Sequence, residues 1–203
     1  SIFGAHGIIV LSTSVPEGFA ERIRKTGAQV VRVEGTYEDS VQYAIDAANQ
    51  NRWQLLADGS WQGYTAPPAL IMEGYTVLAR ECRDEIAKSG DWPTHVLIQA
   101  GVGGLAAAMA GHIREHWQIQ PEIIIVEPEA APCLLKSVAA GKMSRAEGPE
   151  SNMGRLDCKD ASLIAFEALR QDADLFVTVS DERAQAATHL FASHGIETTP
   201  SGA

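Results

Sequence analysis

HVLIQAGVGGLAAAMAGHI, residues 95–113, reads as a short apolar strand that passes through a glycine turn directly into a helix. Residues 95–99 are short and apolar, Gly101, Gly103 and Gly104 strip side chains from the turn, and residues 105–117 carry apolar positions at helical spacing. A turn of this make-up is an anion cradle. Glycines let the backbone approach a ligand closely, while the free N–H groups and the positive dipole end of the helix favour a phosphate. The alternative is a βα turn in which the same glycines serve only tight packing.

Working outward toward the N-terminus, residues 1–7 give no helix start and run into residues 8–11, an apolar strand of the buried parallel kind. Pro16 and Glu17 suit a first helical turn, Phe19, Ala20 and Ile23 supply an apolar stripe, and Lys25-Thr26-Gly27 stops it. Residues 29–33 form the next strand, which makes a βαβ unit that closes right-handed into a parallel sheet. A helix from about Tyr37 has Glu38 and Asp39 in its first turn and faces Val41, Ala44, Ile45 and Ala48 inward. Asp58-Gly59-Ser60-Trp61-Gln62-Gly63-Tyr64 is a loop with two glycines and two large aromatics, a composition that often carries function. Pro67-Pro68 interrupts before a long amphipathic helix over residues 69–87.

Toward the C-terminus the alternation resumes. EIIIV, residues 122–126, is an apolar strand ended by Glu127-Pro128-Glu129, followed by a short helix over residues 134–140. Residues 142–159 read as loop, and Asp160 is expected to cap a helix carrying Leu163, Ile164, Phe166 and Leu169. A strand over residues 174–179 precedes a helix opened by Ser180-Asp181-Glu182-Arg183 and ending at His194-Gly195. In IETTPSGA, residues 196–203, Ser201-Gly202-Ala203 stands where another strand-turn-helix should begin. Both ends are therefore expected to be cuts through a longer polypeptide, because an open parallel sheet would be left with uncovered apolar faces. The pattern is α/β, parallel sheets flanked by helices, in two incomplete domains: residues 1–62, the remainder of a small βα domain, and residues 63–203, most of a larger one.

Composition narrows the function classes. The 203 residues, 45% hydrophobic and 21% charged, suit an ordinary globular protein. A formal charge of -10 disfavours nucleic acid or an anionic membrane as partner, although a local nest of N–H groups can still bind an anion. Cys82, Cys133 and Cys158 are odd in number and in no CxxC pair, so they read as free thiols of a reducing compartment. No leader or apolar run of membrane-spanning length is present, and a cytoplasmic location is expected.

Two motif readings compete for the glycine turn and its helix. Gly101-Val102-Gly103-Gly104-Leu105-Ala106 fits G-x-G-x-x-A, and Glu127 ends the following strand, where the ribose-binding acid of a dinucleotide fold belongs. Against this, the unit begins near the middle of the chain, behind a βαβ unit of different character. His112-Ile113-Arg114-Glu115-His116 fits the zinc motif H-x-x-E-H, but no third ligand follows, and a solvated helix face is the better reading; no metal is expected.

The run THVLIQAGVGGLAAAMAGHI followed by IIIVEPEAAPCL resembles the phosphate-binding turn and following strand of the fold type II pyridoxal-phosphate enzymes, the tryptophan synthase β family. With ADGSWQGYT added, the chain is similar to the diaminopropionate ammonia-lyase branch of that family over nearly its whole length. The resemblance implies pyridoxal 5'-phosphate as cofactor, its phosphate held by the backbone N–H groups of Gly101, Val102, Gly103, Gly104 and Leu105, and a site in the cleft between two domains. It implies that Asp58 acts as a base on one substrate enantiomer, where turn chemistry alone offers an aspartate bonded to its own backbone. Trp61 and Tyr64 either wall the pocket or form a packed pair. The implied reaction is α,β-elimination of a small amino acid, 2,3-diaminopropionate, to pyruvate and ammonia, with the cofactor as electron sink, in a homodimer. Serine and threonine dehydratases share the fold and much of the turn, and a catalytically inactive truncated relative is the other alternative.

The chain departs from the family where the resting cofactor needs a Schiff-base lysine. None of Lys25, Lys88, Lys136, Lys142 or Lys159 stands in a matching context, and the family's lysine belongs upstream of Ser1. The upstream substrate-carboxylate loop with its second aspartate and the downstream group facing the pyridine nitrogen are also missing. The chain alone is therefore expected to be inactive, as a fragment of a working lyase or, less simply, as one subunit of a split enzyme.

Overall fold

Two separate parallel sheets carry the βα alternation in the computed structural model, which describes residues 4–203. Residues 1–3, the start of the segment read as lacking a helix signal, lie outside the described residues. The chain divides into two compact units, Ser1–Ala57 and Asp58–Ala203, so the whole loop from Asp58 to Tyr64 belongs to the second.

In the first unit, β1 (Ile8–Ser12) pairs in parallel with β2 (Gln29–Val33), Ile8 opposite Gln29 and Ser12 opposite Val33, with α1 (Glu17–Arg24) between them in sequence. The expected stripe on α1 is narrower than its sequence suggests. Ala20 is buried, whereas Phe19 is exposed with the Arg22 guanidinium 4.4 Å over its ring. Next comes α2 (Tyr37–Asn51), which starts at a capping box: the Asp39 N–H donates to Thr36 Oγ1, and the Thr36 N–H donates to Asp39 Oδ2.

The second unit runs α3 (Ala66–Ser89), β3 (His95–Gln99), α4 (Gly104–His116), β4 (Glu122–Pro128), α5 (Cys133–Ala140), α6 (Leu163–Asp172), β5 (Leu175–Val179) and α7 (Asp181–Ser193), with a closing 3-10 turn at Pro200–Gly202. The strands form one parallel sheet in the order β3-β4-β5, with His95 opposite Glu122 and Ile124 opposite Leu175. Ile98, Ile123 and Ile125 point into the core. There they join Ile113 of α4, Leu134 of α5, and Phe166 and Leu169 of α6. Small residues on α4, among them Ala106, Ala107 and Ala110, are buried in that core and let α3 and α6 approach closely. On the opposite side of the sheet Leu97, Leu175 and Val177 are exposed.

Two local expectations are corrected. Pro67 and Pro68 do not interrupt α3 but sit in its first turn, where a missing N–H costs nothing. Asp160 does not cap α6; its carboxylate pairs with Arg145, and the N-cap position is Ser162.

Candidate functional site

The turn between β3 and α4 is held at its start by the Ala100 N–H and then by the carbonyls of Gly101 and Val102. The Ala100 N–H donates to Val126 O at 2.9 Å, the Ser162 N–H donates to Val102 O at 2.8 Å, and the Cys133 thiol donates to Gly101 O at 3.4 Å. The N–H groups are used differently. The first backbone bond of α4 runs from the Ala107 N–H to Gly103 O, so the N–H groups of Gly104, Leu105 and Ala106 precede the helical ladder. No acidic side chain occupies the first turn of α4 to neutralise its positive end.

Gly103 is the N-cap, at φ +100°, a conformation that side chains rarely adopt. A Cβ on it would come within 3.0 Å of Leu134 Cδ1 and 3.2 Å of the Ala165 Cβ. A Cβ on Gly101 would meet Cys158 Sγ at 3.1 Å and Arg155 O at 3.2 Å. The same glycines therefore permit tight packing on one side, and the backbone N–H groups at the start of α4 lie ahead of the helical ladder.

Glu127, at the end of β4, is fully buried. Its Oε1 accepts from the Leu134 N–H and its Oε2 from the Leu135 N–H, both at 2.8 Å. Burial pushes its carboxyl up to about 7, against the opposing pull of those two N–H groups and the Cys133 thiol. A carboxylate spent on capping α5 is not available to a ribose, and this removes the support that Glu127 lent to the dinucleotide reading. Burial, then the charge of Glu127, raises the Cys133 thiol well above its ordinary range, so Cys133 is an inert buried thiol.

On α4 the rings of His112 and His116 lie edge to face, 4.6 Å apart. Nδ1 of His112 is buried with no hydrogen-bond partner, and burial, then His116, presses its pKa below the usual histidine range. Among the described residues no group of three or more His, Cys, Asp or Glu side chains is arranged to hold a metal, and no helix is long and apolar enough to cross a membrane.

Asp58 is exposed, and its Oδ1 accepts from the Gly59 N–H at 3.0 Å, the local geometry of a turn aspartate. Trp61 and Tyr64 exchange both backbone hydrogen bonds across a tight turn whose Gly63 has φ +87°, and their rings stack at 4.4 Å, so the packed-pair reading holds for them. Between these residues lies Ser60, which the sequence did not single out. It is buried, its N–H donates to Ser162 Oγ at 3.0 Å, and the two hydroxyls are 2.7 Å apart. Ser60 also caps α6, accepting from the Leu163 N–H on its carbonyl and from the Ile164 N–H on its hydroxyl, each at 2.9 Å. The Asp58 loop thus reaches the glycine turn in two steps, from Ser60 to Ser162 and from the Ser162 N–H to Val102 O.

The lysines serve structure where their contacts are resolved. Lys159 Nζ donates to Ala130 O and Pro149 O, each at 2.9 Å, and to Asp157 Oδ1 at 2.6 Å, while Lys88 pairs with Glu85 on the surface. Ser201, in the closing turn, accepts from the Arg155 N–H at 3.3 Å, beside the loop that packs on Gly101.

Known proteins resemble this chain in sequence and in fold. The chain is 32% identical over 180 residues to diaminopropionate ammonia-lyase of Escherichia coli K12, which covers 88% of this chain and 45% of that enzyme. It is 35% identical over 167 residues to the Salmonella typhimurium enzyme, covering 80% of this chain and 41% of that one. The crystal structure of the Escherichia coli diaminopropionate ammonia lyase in complex with an aminoacrylate-PLP azomethine reaction intermediate superposes with a TM-score of 0.91 at 30% identity, over 98% of this chain and 52% of that one. The chain thus spans about half the length of the relatives it matches. The sequence pattern of the pyridoxal-phosphate dependent enzymes matches residues 1–203, end to end. With its parallel sheet, its glycine turn and its open helix N-terminus in place, the chain belongs to the pyridoxal-phosphate dependent enzyme family.

Proposed function

We propose that this chain is the cofactor-binding part of a lyase that eliminates the β-amine of 2,3-diaminopropionate, giving pyruvate and ammonia. The observation that carries the reading is the glycine turn, whose carbonyls are tied into the protein while the N–H groups at the start of α4 precede the helical ladder. A phosphate fits that donor set: the backbone is bare at Gly101, Gly103 and Gly104, the helix end is positive, and no carboxylate competes. Gly101, Val102, Gly103, Gly104 and Leu105 would hold the phosphate through their N–H groups. When bound, pyridoxal phosphate supplies an electron sink for the pair left on the substrate's Cα.

Asp58 then takes the Cα proton from one enantiomer, since its carboxylate is exposed at the head of a loop anchored next to the turn. A neighbouring acid also suits a leaving amine, which must depart protonated. Lys159 is committed to structural carbonyls and Lys88 to Glu85, and the reading assigns the covalent anchor of the cofactor to residues beyond this chain. A homodimer acting in the cytoplasm belongs to the same proposal, supported by the family resemblance.

The test is the polypeptide that carries this chain together with a lysine-bearing segment. It should release pyruvate from D- or L-2,3-diaminopropionate with kcat/KM at least about tenfold above that on serine or threonine, a difference worth about 1.4 kcal/mol of transition-state binding. Faster turnover of serine or threonine would replace the amine by a hydroxyl as leaving group and make the protein a dehydratase.

A further inference from the structure

Ser60 and Ser162 are separated by 102 positions, yet each takes over a hydrogen bond that the other's neighbourhood would ordinarily supply. Ser162 is the N-cap of α6, and an N-cap serine normally turns its hydroxyl onto its own helix. Here it makes no such bond; the hydroxyl accepts from the Ser60 N–H instead, and Ser60 supplies both acceptors for the start of α6. Both serines are buried, and their hydroxyls are bonded to each other as well as to the backbone N–H groups of Ile164 and Ser60. The backbone of Ser162 meanwhile donates to Val102 O, inside the glycine turn.

We propose that Ser60 and Ser162 form a latch that couples occupancy of the glycine turn to the position of the Asp58 loop. Both are positioning residues, and the inference rests on the reading of the turn as a phosphate site. An anion on the N–H groups of Gly103 to Leu105 polarises the Val102–Gly103 peptide and strengthens Val102 O as an acceptor, which tightens the bond from the Ser162 N–H. Ser162 in turn fixes Ser60, and Ser60 is two residues from Asp58. By reciprocity, loosening the latch must weaken the anion as much as losing the anion loosens the loop.

Amide hydrogen exchange of the chain, with and without pyridoxal phosphate, tests this in the wild type, in Ser162→Ala and in Ser162→Thr. Ser162→Ala keeps the backbone bond to Val102 O and removes only the hydroxyl that faces Ser60. In the wild type, cofactor should slow exchange at Gly103 to Leu105 and also at Ser60 and Trp61, by about tenfold, the scale of coupling through one or two hydrogen bonds. In Ser162→Ala the turn should still be protected by cofactor while Ser60 and Trp61 change less than about twofold, and Ser162→Thr, which restores the hydroxyl, should restore the loop response. Protection of the loop by cofactor that is equal in wild type and Ser162→Ala overturns the latch and leaves the phosphate site standing. Cofactor that protects neither turn nor loop in the wild type overturns the phosphate reading and the latch with it. If Ser162→Ala does not fold, the decision falls to Ser162→Gly, a better tolerated N-cap that keeps the backbone bond to Val102 O and removes the hydroxyl: a loop response to cofactor that persists in Ser162→Gly overturns the latch, and its loss supports it.

Discussion

Replacing Glu127 by glutamine should change how the stability of the chain depends on pH, by an amount that its surroundings set. The carboxyl is fully buried and pushed up to about 7, from an ordinary value of 4.5. Between these values the folded chain holds a proton that the unfolded chain has released. Stability from this group is therefore complete below about pH 4.5, falls as pH rises through 7, and is level above that. Two and a half pH units at about 1.4 kcal/mol each amount to about 3 kcal/mol. Glutamine cannot titrate, so the difference in unfolding free energy between wild type and Glu127→Gln should shift by about 3 kcal/mol in the variant's favour from pH 4.5 to 7.5. The variant carries its own constant cost. Its amide oxygen can accept from only one of the Leu134 and Leu135 N–H groups, which leaves the other facing an NH₂, at about 1–3 kcal/mol. Taking the difference cancels the other titrating groups, including His112, whose lowered pKa costs stability in the opposite direction, as pH falls. Urea unfolding followed by the fluorescence of Trp92 and Trp117, which pack edge to face at 5.7 Å in the same unit, gives the measurement. A difference that stays constant from pH 4.5 to 7.5 would refute the reasoning, because Glu127 would then be ionising in the folded chain as it does in the unfolded one.

Gly103→Ala should lose about 2 kcal/mol or more of stability from strain at φ +100° and from contact with Leu134, and should abolish binding of pyridoxal phosphate as read by its visible absorbance. Ser60→Ala removes one acceptor from α6 and one partner from Ser162, so thermal unfolding should show a loss of about 1–3 kcal/mol. Asp174, whose carboxyl is held below its usual range first by the Ile123 N–H and then by Arg114, contributes stability above the ordinary aspartate range that is lost as pH falls; Asp174→Asn should flatten the acid limb of the unfolding curve. In the lysine-bearing polypeptide, Asp58→Asn should lower kcat on one enantiomer of 2,3-diaminopropionate by about 10²-fold or more and change the other much less, as read by pyruvate release.

The alternation of short apolar strands with helices was legible because each element carries its own period and its own stop signals. The strand at 29–33 and the starts of α2 and β3 fall where local sequence puts them, since capping residues and β-branched runs act over a few positions. What sequence concealed is what acts over distance. Ser60 reads as an ordinary loop serine, and nothing within ten residues announces a partner at Ser162. The assignment of the α6 cap to Asp160 failed for the same reason: an aspartate three residues ahead of a helix is a plausible cap until Arg145 takes its carboxylate and a distant serine takes the helix. Glu127 is a nearer miss. A glutamate at the end of the strand after a glycine turn reads as the ribose-binding acid of a dinucleotide fold, yet a helix starts six residues on, and Leu134 and Leu135, whose backbone it binds, are close enough to suggest a cap. At Pro67 and Pro68 the error was one of position, because proline breaks a helix interior but is at home in its first turn.

The central claim, that the turn at Gly101 to Leu105 binds the phosphate of the cofactor, is tested most directly by titrating the chain with pyridoxal phosphate and, separately, with pyridoxal, while following the backbone amide resonances. The account predicts that the phosphate ester shifts the amides of Gly103, Gly104 and Leu105 and binds at least about a hundredfold more tightly than pyridoxal, the equivalent of roughly two charge-assisted hydrogen bonds. Equal affinity for the two compounds, or shifts that leave those three amides unmoved, would contradict it.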